Sequence, residues 1–464
     1  MDPLVDGVDI ISSMPHEILH HILSFVPTQF AIRTSALSRV WRHIWCHTPF
    51  LDFDYSYIHE HRRQLTARDI NQTLRSYRAP KITSFHLRMP RNFREHDSWI
   101  EFVVSHNVEK LSLVFDGLPN HVFEKIFYLG PSLTQLCIRK FYMVPGCAVV
   151  SWKSLRNLTL GECYLYDESV DNILSGSPIL EALELRYCRL PRRLDLSKSH
   201  SLRRLEIGLR KEPTEIVAPH LHHLSLESFN DRPCTLVDVS SLAEARIHIV
   251  VDNYRTLNVD FLQTMVLKML AKLQNVKRLT FTGTVLQILS LVELRGVPFP
   301  TLKVQTLTVE TRFTRSVIPG LARLLQNSPE LEKLIAHATR LFGIPDRVLK
   351  SYMDSEGLNL DRCGRSKYEV FPTSDEYYRM IRCKDAAWKL IASFMEMVMR
   401  NVKSLETLVV GLECIKPEGS DARWFEELLQ MLQLLSNNNN VNLRLVQTME
   451  TCWVLDAFSL SRHS

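Results

Sequence analysis

Two groups of residues in this chain have types and spacings that could do chemistry. His16-Glu17-Ile18-Leu19-His20 is a literal H-E-x-x-H string. On a helix it sets two imidazoles one turn apart on one face, with the glutamate as general base, which is the arrangement of zinc proteases. Such a centre needs a third protein ligand. In the extended form of the motif, Leu23 stands where the glycine belongs and Val26 where the third histidine belongs. The other form uses a downstream glutamate, and none occurs between Glu17 and Glu60. His220, His222 and His223 form the second group, beside an expected strand, where hydrogen-bonded structural histidines are the simpler reading. The ten cysteines contain no C-x-x-C, and there is no phosphate-binding glycine loop, dinucleotide fingerprint or G-x-S-x-G elbow. No metal, cofactor or catalytic residue is expected, and a zinc metalloprotease built on His16 and His20 stays only as a remote alternative.

The elements that would position any site follow from a repeat. Leu155, Leu158, Leu160, Cys163 and Leu165 spell L-x-x-L-x-L-x-x-C-x-L, and Leu180, Leu183, Leu185, Cys188 and Leu190 spell it again 25 residues later. In a short strand, side chains alternate, so Leu158 and Leu160 point together into a core. The same pair recurs as Phe85/Leu87, Leu111/Leu113, Leu136/Ile138, Leu205/Ile207, Leu224/Leu226, Leu279/Phe281, Leu307/Val309, Leu334/Ala336 and Leu408/Val410, with a degenerate Ala245/Ile247. That is the leucine-rich-repeat pattern, with a period of about 20–29 residues. One unit leaves its apolar face uncovered, whereas stacked units bury it and line up their strands as a parallel sheet. The expected fold is therefore α/β, a solenoid with that sheet on its concave face.

Bulk properties agree with a globular chain. Apolar residues make up 45% and charged residues 23% of 464, and the net charge of +5 is spread over 56 basic and 51 acidic residues. Without a Lys/Arg run, nucleic-acid binding is not expected. The first residues carry Asp2, Asp6 and Asp9 and no apolar leader, so no signal peptide is expected. No stretch approaches the roughly 20 apolar residues that span a bilayer. Reduced thiols and a place in the cytoplasm or nucleus are the corresponding expectations.

Residues 10–50 have a different texture, with helical periodicity and no core pair. Pro15 opens a helix that carries Ile18, Leu19, Ile22, Leu23, Phe25 and Val26 on one side and His16, Glu17, His20, His21 and Ser24 on the other. Pro27 ends it, Thr28 starts a second helix, and a third holds Val40, Trp41, Ile44 and Trp45. Three short helices do not enclose that much apolar surface by themselves. On periodicity alone, the surplus either packs on the repeats or serves a partner.

Residues 10–45 closely resemble the F-box of plant F-box/leucine-rich-repeat proteins. The matching positions are Pro15, Glu17, Ile18, Leu19, Ile22, Leu23, Ser24, Phe25, Pro27, Thr28, Thr34, Ser35, Leu37, Ser38, Trp41, Arg42 and Trp45. Met14 replaces the usual leucine before Pro15, a volume-conserving change, and Val40 replaces a basic residue before Trp41. The resemblance implies a non-catalytic substrate receptor of an SCF (Skp–cullin–F-box) ubiquitin ligase. Pro15, Ile18, Leu19, Ile22, Leu23 and Trp41 would contact a Skp-type adaptor, and through it cullin and RING subunits. Strand residues alternating with the core pairs, namely Thr159, Glu184, Glu206, Ser225, Thr280 and Thr308, would face an unidentified target protein. A repeat scaffold that works without a ligase is the alternative.

The expected organisation is an F-box at 8–52, a linker with one helix at 53–80 and repeats over 81–341. An insertion loop follows at 342–385, then a C-terminal repeat and cap over 386–464. Within the last segment a helix is expected at 386–402, another at 424–435, a turn at 437–440 and a closing strand or cap over 441–455.

Overall fold

A computed structural model describes residues 10–55, 65–89, 96–116, 125–140, 149–209, 214–229, 234–251, 257–339, 343–358, 370–411, 426, 430 and 441–446. The chain divides into two compact units, Met1–Leu221 and His222–Ser464.

The first unit begins with three helices, α1 (His16–Leu23), α2 (Thr28–Arg33) and α3 (Trp41–His47), with a 3-10 turn at Thr34–Ala36. Pro15 and Pro27 stand immediately before α1 and α2, where a missing N–H costs nothing. Leu19 and Leu23, one turn apart on α1, meet Ala31, Trp41, Ile44, Trp45 and Cys46 in one buried cluster, with Met14 and Ile32 packed at its edge.

Among the described residues, seven parallel strands follow. They are β1 (Phe50–Asp54), β2 (Ser84–Met89), β3 (Lys110–Phe115), β4 (Gln135–Arg139), β5 (Asn157–Gly161), β6 (Ala182–Arg186) and, after the outer strand β7 (Arg193–Asp195), β8 (Arg204–Gly208). A further strand, β9 (Thr214–Val217), pairs with β7. The core pairs fall in register from Phe85/Leu87 to Leu205/Ile207, all buried, so the period-2 pattern of the sequence is the packing pattern of the sheet. Each such side chain contributes about 1.5–3 kcal/mol by burial.

The cysteines of the motif have a visible task. Cys163 Sγ donates to Gly161 O at 3.2 Å and Cys188 Sγ to Leu160 O at 3.2 Å, which satisfies carbonyls at the turn out of the strand. At that turn Lys140, Glu162 and Tyr187 adopt φ of 61°, 53° and 54°. Their N–H groups donate to Gly161 O, Arg186 O and Gly208 O of the next strand, bonds that offset the strain of the left-handed region.

The described residues of the stretch expected as a linker at 53–80 belong instead to a repeat. Leu51 and Phe53 of β1 pair with Phe85 and Leu87, and α4 (Ala67–Ser76) returns the chain from β1 to β2 behind a Thr66–Asp69 capping box. The F-box helices are bonded to this first repeat. Thr28 Oγ1 accepts from Asp52 N at 2.7 Å, Cys46 O accepts from Arg78 N at 2.9 Å, and Tyr77 Oη donates to Thr48 O at 3.0 Å. Helix α5 (His96–Ser105) crosses back before β3, and α6 (Asp167–Gly176) before β6.

The second unit carries parallel strands β10 (His223–Phe229), then, past β11 (Cys234–Asp238), β12 (Glu244–Val250), β13 (Arg278–Thr282), β14 (Thr306–Thr311), β15 (Lys333–Ala338), β16 (Thr407–Gly411) and β17 (Asn442–Val446). The degenerate Ala245/Ile247 pair sits in register between Leu224/Leu226 and Leu279/Phe281. Helices α7 (Val259–Lys272), α8 (Gly283–Leu294) and α9 (Ile318–Gln326) make the returns.

Among the described residues, the loop expected at 342–385 contains helices α10 (Asp346–Ser355) and α11 (Ser374–Met380). Buried Gln287 of α8 holds its entry, accepting from Ile344 N at 2.7 Å and donating to Ile344 O at 3.0 Å. Arg295, beside Asp260 and Glu356, and Tyr352, donating to Asp260 at 2.8 Å, fasten α10 to the helical layer. These bonds hold the described part of the segment against the helices of the second unit. Helix α12 (Lys384–Asn401) then leads to β16. The C-terminal helix expected at 424–435, apart from Glu426 and Gln430, and the turn at 437–440 lie outside the described residues.

Candidate functional site

Helix α1 has two apolar stripes. Leu19 (0% exposed) and Leu23 face α3, whereas Ile18 (46%) and Ile22 (39%) face outward, as does Phe25. Trp41 is also interior, and Pro15 is exposed. Of the six residues expected to touch an adaptor, Pro15, Ile18 and Ile22 are therefore on the surface, and Leu19, Leu23 and Trp41 form the support beneath them. A second exposed group was not assigned in the sequence. The Ser12–Ser38 hydroxyl contact at 3.1 Å sets the turn bearing Ile10 and Ile11 beside the segment bearing Leu37 and Val40, and all four are exposed. Their signal was composition alone, with no period to say which way they point.

Thirteen large apolar side chains of the described residues are exposed, and seven of them lie between residues 10 and 40. An apolar surface so concentrated marks a protein-binding face.

The H-E-x-x-H string has a structural setting. His16 and His20 rings are 6.4 Å apart, and Glu17 is exposed. Burial first, then His16 and His47, hold the His20 pKa below the ordinary histidine range. Among the described residues no group of three or more histidine, cysteine or acidic side chains is placed to hold a metal ion. His220 faces His200, nitrogen to nitrogen at 3.0 Å, and His223 pairs with Glu244 at 3.6 Å.

The strand residues expected to meet a target fall in one row within each unit. Thr159, Glu184 and Glu206 are register neighbours on β5, β6 and β8. Glu184 accepts from Thr159 Oγ1 at 3.0 Å and from Arg186, and Glu206 pairs with Arg204 at 2.7 Å. In the second unit Thr280 and Thr308 are neighbours, and Ser225 reaches Thr280 only across Arg246. The same rows contain Asp52, His86, Ser112 and Cys137 in the first unit, and Ile335, Val409 and Arg444 in the second. These were readable from the same alternation and were left unassigned.

His86 is the most perturbed member of the first row. Burial pushes its pKa from 6.5 down to about 4, against the pull of Asp54. The folded chain therefore prefers neutral His86. The stability this supplies is complete above pH 6.5 and is lost as pH falls from 6.5 toward about 4, by about 3 kcal/mol. Denaturant titrations at pH 7.5 and 4.5 should show that loss, and His86→Gln should reduce it; an unchanged difference in the variant would remove His86 as its source.

Residues 11–53 match the F-box domain, and residues 96–336 match the family described as "FBD-associated F-box protein At5g56370, LRR repeats". In Arabidopsis thaliana, F-box/LRR-repeat protein At5g02910 is 49% identical over 448 residues, covering 94% of this chain and 95% of the relative. F-box/LRR-repeat protein At3g03360 is 42% identical over 465 residues, covering 95% and 91%. The chain belongs to the plant F-box/LRR-repeat family. As an F-box/LRR-repeat protein it has the build of a substrate receptor, a non-catalytic adaptor in general, whose F-box is a module for binding a Skp-type adaptor. The departures in this F-box are mild: Met14 packs at the edge of the helical core, and Val40 adds to the exposed apolar group.

Proposed function

We propose that this chain is the substrate-recognition subunit of an SCF ubiquitin ligase, acting in the cytoplasm or nucleus. The F-box docks a Skp-type adaptor joined to cullin and RING subunits, and the strand face of the repeats holds a target protein for ubiquitination. The supporting observation is the cluster of exposed apolar side chains at Ile10, Ile11, Ile18, Ile22, Phe25, Leu37 and Val40. The chain's contribution is proximity. Tethering target and ubiquitin-charged enzyme to one assembly raises their effective concentration into the millimolar range without covalent chemistry here. The hydrogen bonds from the F-box helices to the first repeat suit that task, because a firm joint keeps the two partners at a set separation.

Co-expression with a plant Skp-type adaptor, cullin and RING subunit tests the reading. A co-eluting complex that transfers ubiquitin to captured partners is the expected result. A chain that captures partners but never the adaptor would favour the ligase-independent scaffold.

A further inference from the structure

Most of the strand face in the second unit is electrically closed. Glu244 pairs with His223 and with Arg278, Arg246 bonds Glu310, and His248 faces Glu227. Its far end differs. Ile335 of β15 and Val409 of β16 are register partners that point away from the core rows, and both are half-buried. Val409 in turn neighbours Arg444 of β17, and Lys333 lies two positions before Ile335 on the same face. With strands about 4.8 Å apart, both cations reach the edge of the apolar pair. Lys333 and Arg444 are exposed, and among the described residues neither forms an ion pair. Glu332 and Glu406, in the segments entering β15 and β16, pair with neither cation.

We propose that this patch, Ile335 and Val409 framed by Lys333 and Arg444, receives an extended acidic segment of the target that carries one or two aliphatic side chains. The reading deepens the substrate-receptor proposal and takes from it only that the bound partner is a target. The charge argument decides the occupant. Apolar contact alone would suit many surfaces, but two cations that form no ion pair among the described residues favour carboxylates flanking the aliphatic anchor and disfavour basic segments. Thr306, Thr308 and Thr407, half-buried around the pair, offer hydroxyls and no competing charge.

The test uses the purified full chain and labelled peptides of about nine residues, enough to cross several strands. One set has a Leu-Val centre flanked by aspartate and glutamate. Matched sets carry lysine flanks, or serine at the centre. The acidic aliphatic set should bind at least about tenfold more tightly than either control. Lys333→Glu with Arg444→Glu should remove that preference, and the milder Lys333→Gln with Arg444→Gln should weaken it. Ile335→Ser with Val409→Ser should lower affinity with circular dichroism unchanged.

Equal binding of the lysine-flanked set, or no effect of charge reversal, would overturn the proposal. So would tighter binding of a single-stranded oligonucleotide that ignores Ile335→Ser, or self-association of the chain through these residues. Peptide binding needs no adaptor. Failure here beside intact adaptor capture removes this inference alone, and the opposite pattern removes the ligase reading.

Discussion

Ile18→Asp with Ile22→Asp should abolish capture of a Skp-type adaptor while leaving the chain folded. Both side chains lie on the outer stripe of α1 and are already partly in water, at 46% and 39% exposure. Aspartate there introduces no buried charge in the free chain. In a complex the same positions would be covered. Each lost isoleucine gives up about 1–2 kcal/mol of burial, and each carboxylate adds a desolvation penalty. Together these should weaken adaptor binding by at least about 100-fold. Leu19→Asp should behave differently although it is the next residue. Leu19 is fully buried among Leu23, Trp41 and Trp45, so the change places a charge inside the helical cluster and unfolds it. Tryptophan fluorescence and far-ultraviolet circular dichroism separate the two outcomes. If the outer pair can be replaced without loss of adaptor binding, the docking surface is misplaced.

Gly320→Val should be among the most destabilising single changes in the second unit. A Cβ at Gly320 would stand 2.3 Å from Leu286 O and 2.5 Å from Ser290 N, both backbone atoms of α8. Neither can turn aside as a flexible side chain would. The approach is held by Gly320 N, which donates to Ser290 Oγ at 2.8 Å, while that hydroxyl donates to Leu286 O at 3.0 Å. Helix α8 is buried along nearly its whole length, so it has no free side toward which to move. Separating α8 from α9 should cost about 3 kcal/mol or more, by overpacking and by loss of the Ser290 bonds. Gly296→Ala is the matched control. Gly296 has φ of +67° and open space around its Cβ direction, so only backbone strain of about 1 kcal/mol is expected. Chemical denaturation of the two variants compares them directly; equal midpoints would contradict the close-packing account.

The repeats were legible because their period and their packing are one signal. Pairs such as Leu183/Leu185 and Leu334/Ala336 land in register, and so does the weak Ala245/Ile247 pair, whose neighbours supply the volume it lacks. Leu51/Phe53 was overlooked because β1 leaves α3 after only Thr48 and Pro49, inside a stretch that already reads as the end of a helical module. The helices of the 342–385 segment carry no leucine pair. Thr373 and Glu376 do form a capping box there, a local signal hidden by the glycine- and aspartate-bearing residues around it. Periodicity also does not sort the two apolar stripes of α1. Ile18, Leu19, Ile22 and Leu23 all fall within one broad side, and only the position of Trp41 and Trp45 decides that Leu19 and Leu23 turn inward. The helix and its exposed Pro15, Ile18 and Ile22 were thus legible in the sequence, whereas the burial of Leu19, Leu23 and Trp41 beneath them was not.

Calorimetric titration of the chain with a plant Skp-type adaptor reads directly whether the exposed apolar face of the F-box receives another subunit. One-to-one binding with a clearly negative heat-capacity change is expected, since apolar burial carries that signature. Absence of binding, or binding whose heat-capacity change is near zero, would contradict it.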